Sequence, residues 1–202
     1  MMIRTKDKHI RSLATNLQTR SDDETEKVIE GYFVVFNSET ELFPGAFEEI
    51  APEAFNNTLS NDIRALINHD TNLVLGRTKA GTLELEVDEK GLFGRIKINE
   101  NDTDAMNIYE RVKRGDVDQC SFGFNILKED VEHRDDGTIK WTIREVDLHE
   151  VSVVTFPAYQ ETSVQARMRE KEQFIQRRLE QRKHELKERL KSVKAIDDSA
   201  EN

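Results

Sequence analysis

The chain of 202 residues is long enough for one domain of ordinary size with extensions. Hydrophobic residues make up 36% of it and charged residues 35%, a balance that argues against a packed core along the whole chain. The net charge is −10 although residues 167–194 carry 11 Lys and Arg against 5 Glu. The rest of the chain is therefore strongly acidic, which argues against a nucleic-acid-binding body.

Cys120 is the only cysteine, so neither a disulfide within the chain nor a metal site built from several cysteines is possible. The first 20 residues lack the apolar stretch of a secretory leader. No run approaches the roughly 18 apolar residues that cross a bilayer. We therefore expect a soluble, intracellular protein without a membrane contact.

The first third of the chain predicts a polar leader followed by short strands. Residues 1–26 are polar and are expected to form a flexible leader. A strand pattern begins at Val28 and continues through EGYFVVFN, and Pro52 is the expected start of a short helix, PEAFNNTL. The segment IRALINHD, which ends at residues 68–70, and the segment NLVLGRT each predict a further strand.

The middle of the chain predicts a hairpin and then a helix. In TLELEVDEKGLFGRIKI, apolar and acidic residues alternate up to a DEKG turn, which is typical of a β-hairpin. A helix is expected from Asp102 to Arg114, with Asn101 or Asp102 as its N-cap and Gly115 as its stop.

The last part of the predicted domain is again β. CSFGFNIL predicts a strand, a DDG turn at 135–137 predicts a second hairpin, and LHEVSVVTF predicts a final strand that ends at Pro157. The whole pattern predicts a mainly β, α+β protein with a closed or nearly closed β-barrel of about seven strands and few helices.

After this domain, which we place at residues 27–160, the sequence changes character. Residues 161–202 are predicted to form a linker and a basic amphipathic helix, because apolar residues recur at spacings of three, four or seven on a charged background. The helix is interrupted on its apolar side by Arg182, which weakens a coiled-coil interpretation. A solvated helix and a helix that docks on an acidic partner both remain open. The apolar positions are Met168, Ile175, Leu179, Leu186, Leu190 and Val193.

Three segments place a polar residue within or at the end of an apolar strand, where an unpaired polar group is costly. They are LINHD at 66–70, CSFGF at 120–124 and LHEVSVV at 148–154. Together they offer His, Ser and Glu, the set that nucleophilic acyl transfer requires, because a serine hydroxyl needs a nearby base and the base needs a partner. Each also has a structural alternative: a surface turn, a tight strand crossing or an exposed edge.

The ordered motifs of residues 28–159 resemble the tailed-phage prohead protease family, which is related in fold to the herpesvirus assembly proteases. The motifs are EGYFVVFN, FEEIAPEAFNNTL, ALINHD, VLGRT, DEKGLFGRIKI, RGDVDQCSFGF and VDLHEVSVVTFPAY. The resemblance implies that His69 is the general base, that Ser121 is the acylated nucleophile, and that the third catalytic residue lies in LHEVS.

The third catalytic residue is either Glu150, the acidic residue usual for the phage family, or His149, the type used by the herpesvirus relatives. Adjacent strand residues point to opposite faces, so only one of the two can face the site. We favour Glu150, because parity places His149 on one face with Val151 and Val153, and if that face packs into the core, His149 is a buried histidine without a catalytic task. Cys120 lies on the face opposite Ser121 and is expected to be structural. Arg77 is expected to form a surface ion pair.

The resemblance implies a serine endopeptidase of capsid maturation that cleaves scaffold and major-capsid-protein segments, and itself, within the assembling prohead in the host cytoplasm. We expect a homo-oligomer without cofactor, metal or nucleic acid. One alternative is a non-catalytic capsid assembly or scaffolding protein on the same fold. Another is a metal-dependent hydrolase that uses His69 and Asp70 with His133 or Glu150, although no metalloprotease spacing supports it.

Overall fold

The computed structural model describes residues 8–13, 17–22, 26–156 and 161–200. Within these ranges the chain forms eleven strands, two α-helices and two 3₁₀ turns. The helices are α1 (Thr103–Arg114) and α2 (Glu161–Ala200), and the 3₁₀ turns are Pro52–Phe55 and Thr78–Ala80. The strands are β1 (His9–Leu13), β2 (Gln18–Asp22), β3 (Glu26–Val35), β4 (Thr40–Phe43), β5 (Ala46–Ile50), β6 (Arg64–Ile67), β7 (Asp70–Arg77), β8 (Leu83–Val87), β9 (Gly91–Lys97), β10 (Gln119–His133) and β11 (Ile139–Val154).

The larger sheet is organised around the long antiparallel hairpin of β10 and β11. β1 pairs antiparallel with the free edge of β10. The free edge of β11 takes two parallel partners at different heights: β5 lies along residues 139–143 and β6 along residues 150–153. β4 extends the sheet beyond β5, and β7 extends it beyond β6.

The smaller sheet has the order β2-β3-β9-β8 and shares one hydrophobic core with the larger sheet. Phe33 and Ile96 of the smaller sheet and Phe122 of the larger one are fully buried in this core. The rings of Phe122 and Phe124 stack with their centroids 4.7 Å apart. Complete burial of such a side chain contributes roughly 1.5–3 kcal/mol to folding, so this cluster holds the two sheets together.

The prediction of a mainly β, α+β protein is confirmed, but the prediction of a closed or nearly closed barrel of about seven strands is wrong. In the described part of the chain the strands form two sheets, and neither of them closes on itself. The reason is the length of β11: its 16 residues accommodate β5 and β6 one after the other on the same edge, so the sheet branches there. The sequence pattern of each short strand does not show which other strands it pairs with, so this branching could not be predicted.

The segment expected to be a flexible leader contains two strands, β1 and β2. Their backbone groups pair with β10 and β3, and Ile10 and Leu17 are buried. Tertiary partners thus order a segment whose polar composition predicts a flexible chain. The predicted domain boundaries stay a prediction.

The local predictions for the helix and the hairpins are confirmed. α1 begins after Asp102, whose side chain accepts hydrogen bonds from the backbone of residues 104 and 105, and it ends at Gly115 in the left-handed region (φ 83°). The DEKG turn joins β8 to β9, and the DDG turn joins β10 to β11.

The chain divides into two compact units, residues 1–163 and 164–202. In the second unit, α2 confirms the predicted helix, and its apolar residues Met168, Ile175, Leu179 and Leu186 are between 38% and 51% exposed. Pro157 and the side chains of Leu190 and Val193 lie outside the described residues. Among the described helices, none has a segment long and apolar enough to cross a membrane.

Candidate active site

The β10–β11 pair places four polar or small residues on one face. Ser121 lies opposite Ser152, and Gly123 lies opposite Glu150. Residues two apart on a strand point to the same side, so all four share a face. The opposite face of β10 carries Phe122 and Cys120, both buried in the core. Cys120 contacts the carbonyl of Tyr32 through Sγ at 3.1 Å, which agrees with the predicted structural role.

His69 reaches this face from the tight turn between β6 and β7. Asn68 and His69 both have left-handed backbone conformations, with φ of 49° and 62°. Asn and His tolerate this region better than most residues, although the conformation has a cost. The turn is held because the Asn68 N–H donates to the Val153 carbonyl at 2.9 Å and its side-chain oxygen accepts from the Thr155 N–H at 2.9 Å. The turn therefore fixes the position of the His69 imidazole.

The base of the same β6–β7 hairpin is held by an ion pair. Arg77, at the end of β7, donates to Asp62 through Nε at 2.7 Å and through Nη2 at 2.5 Å. The hydrogen bond from Arg77 lowers the pKa of Asp62 to about 2, against the smaller opposing effect of burial. The predicted ion pair of Arg77 is confirmed, and it lies in the hairpin that carries His69.

His69 and Glu150 are in direct contact. His69 Nδ1 lies 2.7 Å from Glu150 Oε1, and the Glu150 side chain is only 3% exposed. Ser152 Oγ donates to the other carboxylate oxygen at 2.7 Å, and Lys8 Nζ lies 3.3 Å from Oε1. The imidazole therefore has a buried acidic partner at Nδ1.

Burial acts to raise the pKa of Glu150, but the hydrogen bond and charge of His69, with Ser152 and Lys8, hold it below its ordinary value. Glu150 is therefore an acceptor at neutral pH, and Nδ1 of His69 carries the proton of this bond. A neutral His69 then has its acceptor at Nε2. That atom is buried and has no hydrogen-bond partner among the described residues.

Ser121 is fully buried, and its hydroxyl donates to the backbone carbonyl of Arg11 in β1 at 2.8 Å. The structure thus joins two of the three sequence-predicted residues, His69 and Glu150, and sets Ser121 on the same face. Within the described ranges, no hydrogen bond joins Ser121 Oγ to His69 Nε2. Such bonds often form only when substrate is bound.

His149 lies apart from this cluster. Its side chain is 39% exposed, and Nε2 lies 3.9 Å from the Asp147 carboxylate. Val151 and Val153 are buried in the core, so the expectation that His149 would then be buried with them is wrong. Strand parity fails here because β11 has an irregularity at His149: Gly123 pairs with Glu150 and the next residue, Phe124, pairs with Leu148, so His149 is an extra residue without a partner in β10.

Sequence reasoning missed three contributors: Ser152, Lys8 and the space provided by Gly123. A Cβ at Gly123 would lie 2.3 Å from Oε1 of Glu150, so only glycine leaves room for this carboxylate. Ser152 could have been found from its spacing, because it follows Glu150 by two residues and shares its face. Lys8 gave no signal in the sequence.

The structure offers no donor set for the predicted metal-dependent alternative within the described residues. No three His, Cys, Asp or Glu side chains there lie close enough together to hold a metal ion. This holds for His69 and Asp70 with His133 or Glu150 as for every other combination in those ranges.

Comparison with known proteins identifies the protein family. The family of caudovirus prohead serine proteases matches residues 15–177. The chain belongs to this family. The prohead protease of Enterobacteria phage HK97 is 32% identical over 163 residues, which cover 74% of this chain and 68% of that protein. The solved structure of the bacteriophage T4 capsid assembly protease matches 73% of this chain and 99% of its own, with a TM-score of 0.43 and 10% identity. This member of the prohead family is a serine protease, as predicted.

Proposed function

We propose that this serine protease uses Ser121 as nucleophile, His69 as general base and Glu150 as the third catalytic residue. The observation that supports this best is the 2.7 Å contact between His69 Nδ1 and the buried Glu150 carboxylate, on the face of the sheet that also carries Ser121. His149, the other candidate for the third residue, is half-exposed and pairs with Asp147 instead.

Each of the three residues then has a defined task. Glu150 accepts the Nδ1 proton, holds the imidazole in one tautomer and stabilises the imidazolium that forms. Nε2 removes the proton from Ser121 as Oγ attacks a peptide carbonyl, and it later returns that proton to the leaving amine. Water, activated by the same nitrogen, releases the acyl group. His69, with smaller contributions from Ser152 and Lys8, keeps Glu150 ionised through contacts with its oxygens.

The proposed substrates are segments of scaffold and of the major capsid protein, together with the protease itself, inside the assembling prohead of the infected host cell. The family name and the phage relatives support this setting. Peptide hydrolysis is irreversible under these conditions, so it would give capsid assembly a direction. We further propose that the protease works as a homo-oligomer.

The test is cleavage of purified capsid protein by the Ser121→Ala, His69→Ala and doubly substituted proteins, with Ser38→Ala, at an exposed position between β3 and β4, as a matched control. Removal of one member of such a set leaves only about 10³–10⁴-fold catalysis over water, so both single variants should be inactive in this assay. The double variant should be no worse than either one, because the residues act as a unit. Losses that multiply would show that His69 does not serve Ser121.

A serine-reactive phosphonate should label Ser121 in the parent protein, equally with and without a chelator. Loss of labelling on chelation would favour the metal-dependent alternative. Normal cleavage by Ser121→Ala would refute the nucleophile assignment.

A further inference from the structure

The carboxylate of Glu150 can serve His69 only if one of its oxygens keeps facing Nδ1. The terminal torsion of a glutamate side chain is broad, so the side chain alone does not select a plane for its carboxylate. His69 Nδ1 contacts one of the two oxygens, Oε1, at 2.7 Å. A contact at one oxygen leaves the carboxylate able to turn about that contact. The plane therefore depends on what lies at the second oxygen, Oε2.

Ser152 lies at the second oxygen. Its Oγ donates to Oε2 of Glu150 at 2.7 Å, and the Ser152 side chain is fully buried. Ser152 follows Glu150 by two residues in β11, so both side chains leave the same face of the sheet. Ser152 also lies opposite Ser121 in the paired strand β10. The backbone of the β10–β11 pair therefore sets the position of this hydroxyl.

The other neighbours of the carboxylate act at its first oxygen. Lys8 Nζ lies 3.3 Å from Oε1, the oxygen that His69 already contacts, and the Lys8 side chain is 40% exposed. Gly123 provides space, because a Cβ there would lie 2.3 Å from Oε1. Within the described residues, the hydrogen bond at Oε2 comes from Ser152. Loss of that bond would leave the carboxylate with room to turn.

We propose that Ser152 is a positioning residue of the catalytic site, whose hydroxyl holds Oε2 of Glu150 so that Oε1 faces Nδ1 of His69. This inference rests on the proposed role of Glu150. Ser152 touches neither the substrate nor the reacting atoms. It acts through the carboxylate on the orientation of the imidazole, and the imidazole in turn acts on the Ser121 hydroxyl.

The competing explanation is that Ser152 is structural. A buried carboxylate oxygen without a hydrogen bond is costly, so the Ser152 hydroxyl stabilises the fold whether or not it affects the reaction. In that case its removal lowers the melting temperature, but the folded protein reacts at the parent's rate. The two explanations therefore differ in the rate per folded molecule.

The first measurement is labelling of the full-length protein by the serine-reactive phosphonate, with the limiting rate kinact separated from the inhibition constant KI. Ser152→Ala should lower kinact by about 10–10²-fold, because a displacement near 1 Å in such a site costs about 10²-fold. KI should not change, because Ser152 does not contact the inhibitor. Ser152→Thr keeps the hydroxyl and should restore most of the rate.

A matched control is Thr58→Val. Thr58 is buried, and its Oγ1 accepts from the backbone N–H of Leu148 in β11 at 2.8 Å. This variant also removes a buried hydrogen bond to β11, but at a site away from the carboxylate. It should lower the melting temperature and leave kinact unchanged. If Ser152→Ala does not fold, Ser152→Cys takes its place, because a thiol has a similar shape and is only a weak donor.

The second measurement is a double-mutant cycle with Glu150→Ala. Once the carboxylate is absent, Ser152→Ala should cause little further loss of kinact, because residues that act as a unit are not additive. Losses that multiply would show that Ser152 acts elsewhere than through Glu150.

The third measurement is the pH dependence of kinact. Burial raises the pKa of Glu150, whereas the hydrogen bonds from His69 and then Ser152 lower it, with the charge of Lys8. Removal of the Ser152 hydroxyl leaves His69 and Lys8 in place but should raise the pKa of Glu150. The acid limb of the profile should therefore move to higher pH in Ser152→Ala and stay in place in Thr58→Val.

A parent-like kinact in folded Ser152→Ala, multiplying losses in the cycle or an unmoved acid limb would overturn this inference and leave the proposed function standing. A parent-like kinact in Glu150→Ala would overturn the proposed function itself.

Discussion

Gly123 is the position at which one added methyl group tests the geometry of the candidate site. A Cβ there would lie 2.3 Å from Oε1 of Glu150 and 2.6 Å from Cε of Lys8, whereas real Cβ atoms essentially never approach a neighbour within 3.0 Å. The end of Lys8 can move away, but Oε1 is held by His69. In Gly123→Ala the carboxylate must therefore shift by about 0.7 Å or more, where a displacement near 1 Å costs about 10²-fold in rate.

The assay is kcat/KM on a peptide substrate together with thermal unfolding. The matched control is Gly94→Ala in β9, where a Cβ would lie 2.5 Å from the Phe33 ring in the core. We expect Gly94→Ala to lower the melting temperature while its folded fraction keeps normal kcat/KM. Gly123→Ala should lower kcat/KM about 10²-fold. Full activity of Gly123→Ala would refute the argument that the position of Glu150 matters for catalysis.

Three further predictions concern other parts of the chain. Glu150→Gln should lower kcat about 10⁴-fold, whereas His149→Gln should change it less than twofold at equal stability; the opposite order would transfer the third catalytic role to His149. In Asp62→Asn the stability lost with the Arg77 ion pair should be greatest above about pH 4 and should disappear as the pH falls through about 2, because the folded pKa of Asp62 is about 2 against an ordinary 3.8. Melting temperatures that differ equally at every pH would contradict this. Truncation after Ala166 should leave peptidase activity unchanged but impair prohead assembly, because the apolar residues of α2 are exposed; an unfolded or inactive product would show that α2 belongs to the catalytic domain.

The sequence predicted those features that depend on neighbouring residues. Asp102 and Gly115 bound α1 through hydrogen bonds and backbone conformations that lie within a few residues of each other. The DEKG and DDG turns set their hairpins in the same way. The segments that contain His69 and Ser121 were also conspicuous locally, because each places a polar group in or beside an apolar strand, but the roles of the two residues came from the resemblance to the family.

The features that the sequence did not predict depend on partners far along the chain. β5 and β6 share one edge of β11, and this arrangement replaces the predicted barrel. β1 forms because it pairs with β10, which lies more than 100 residues further along the chain. The exposure of His149 depends on a register irregularity in β11, where His149 is the extra residue, and strand parity does not anticipate it.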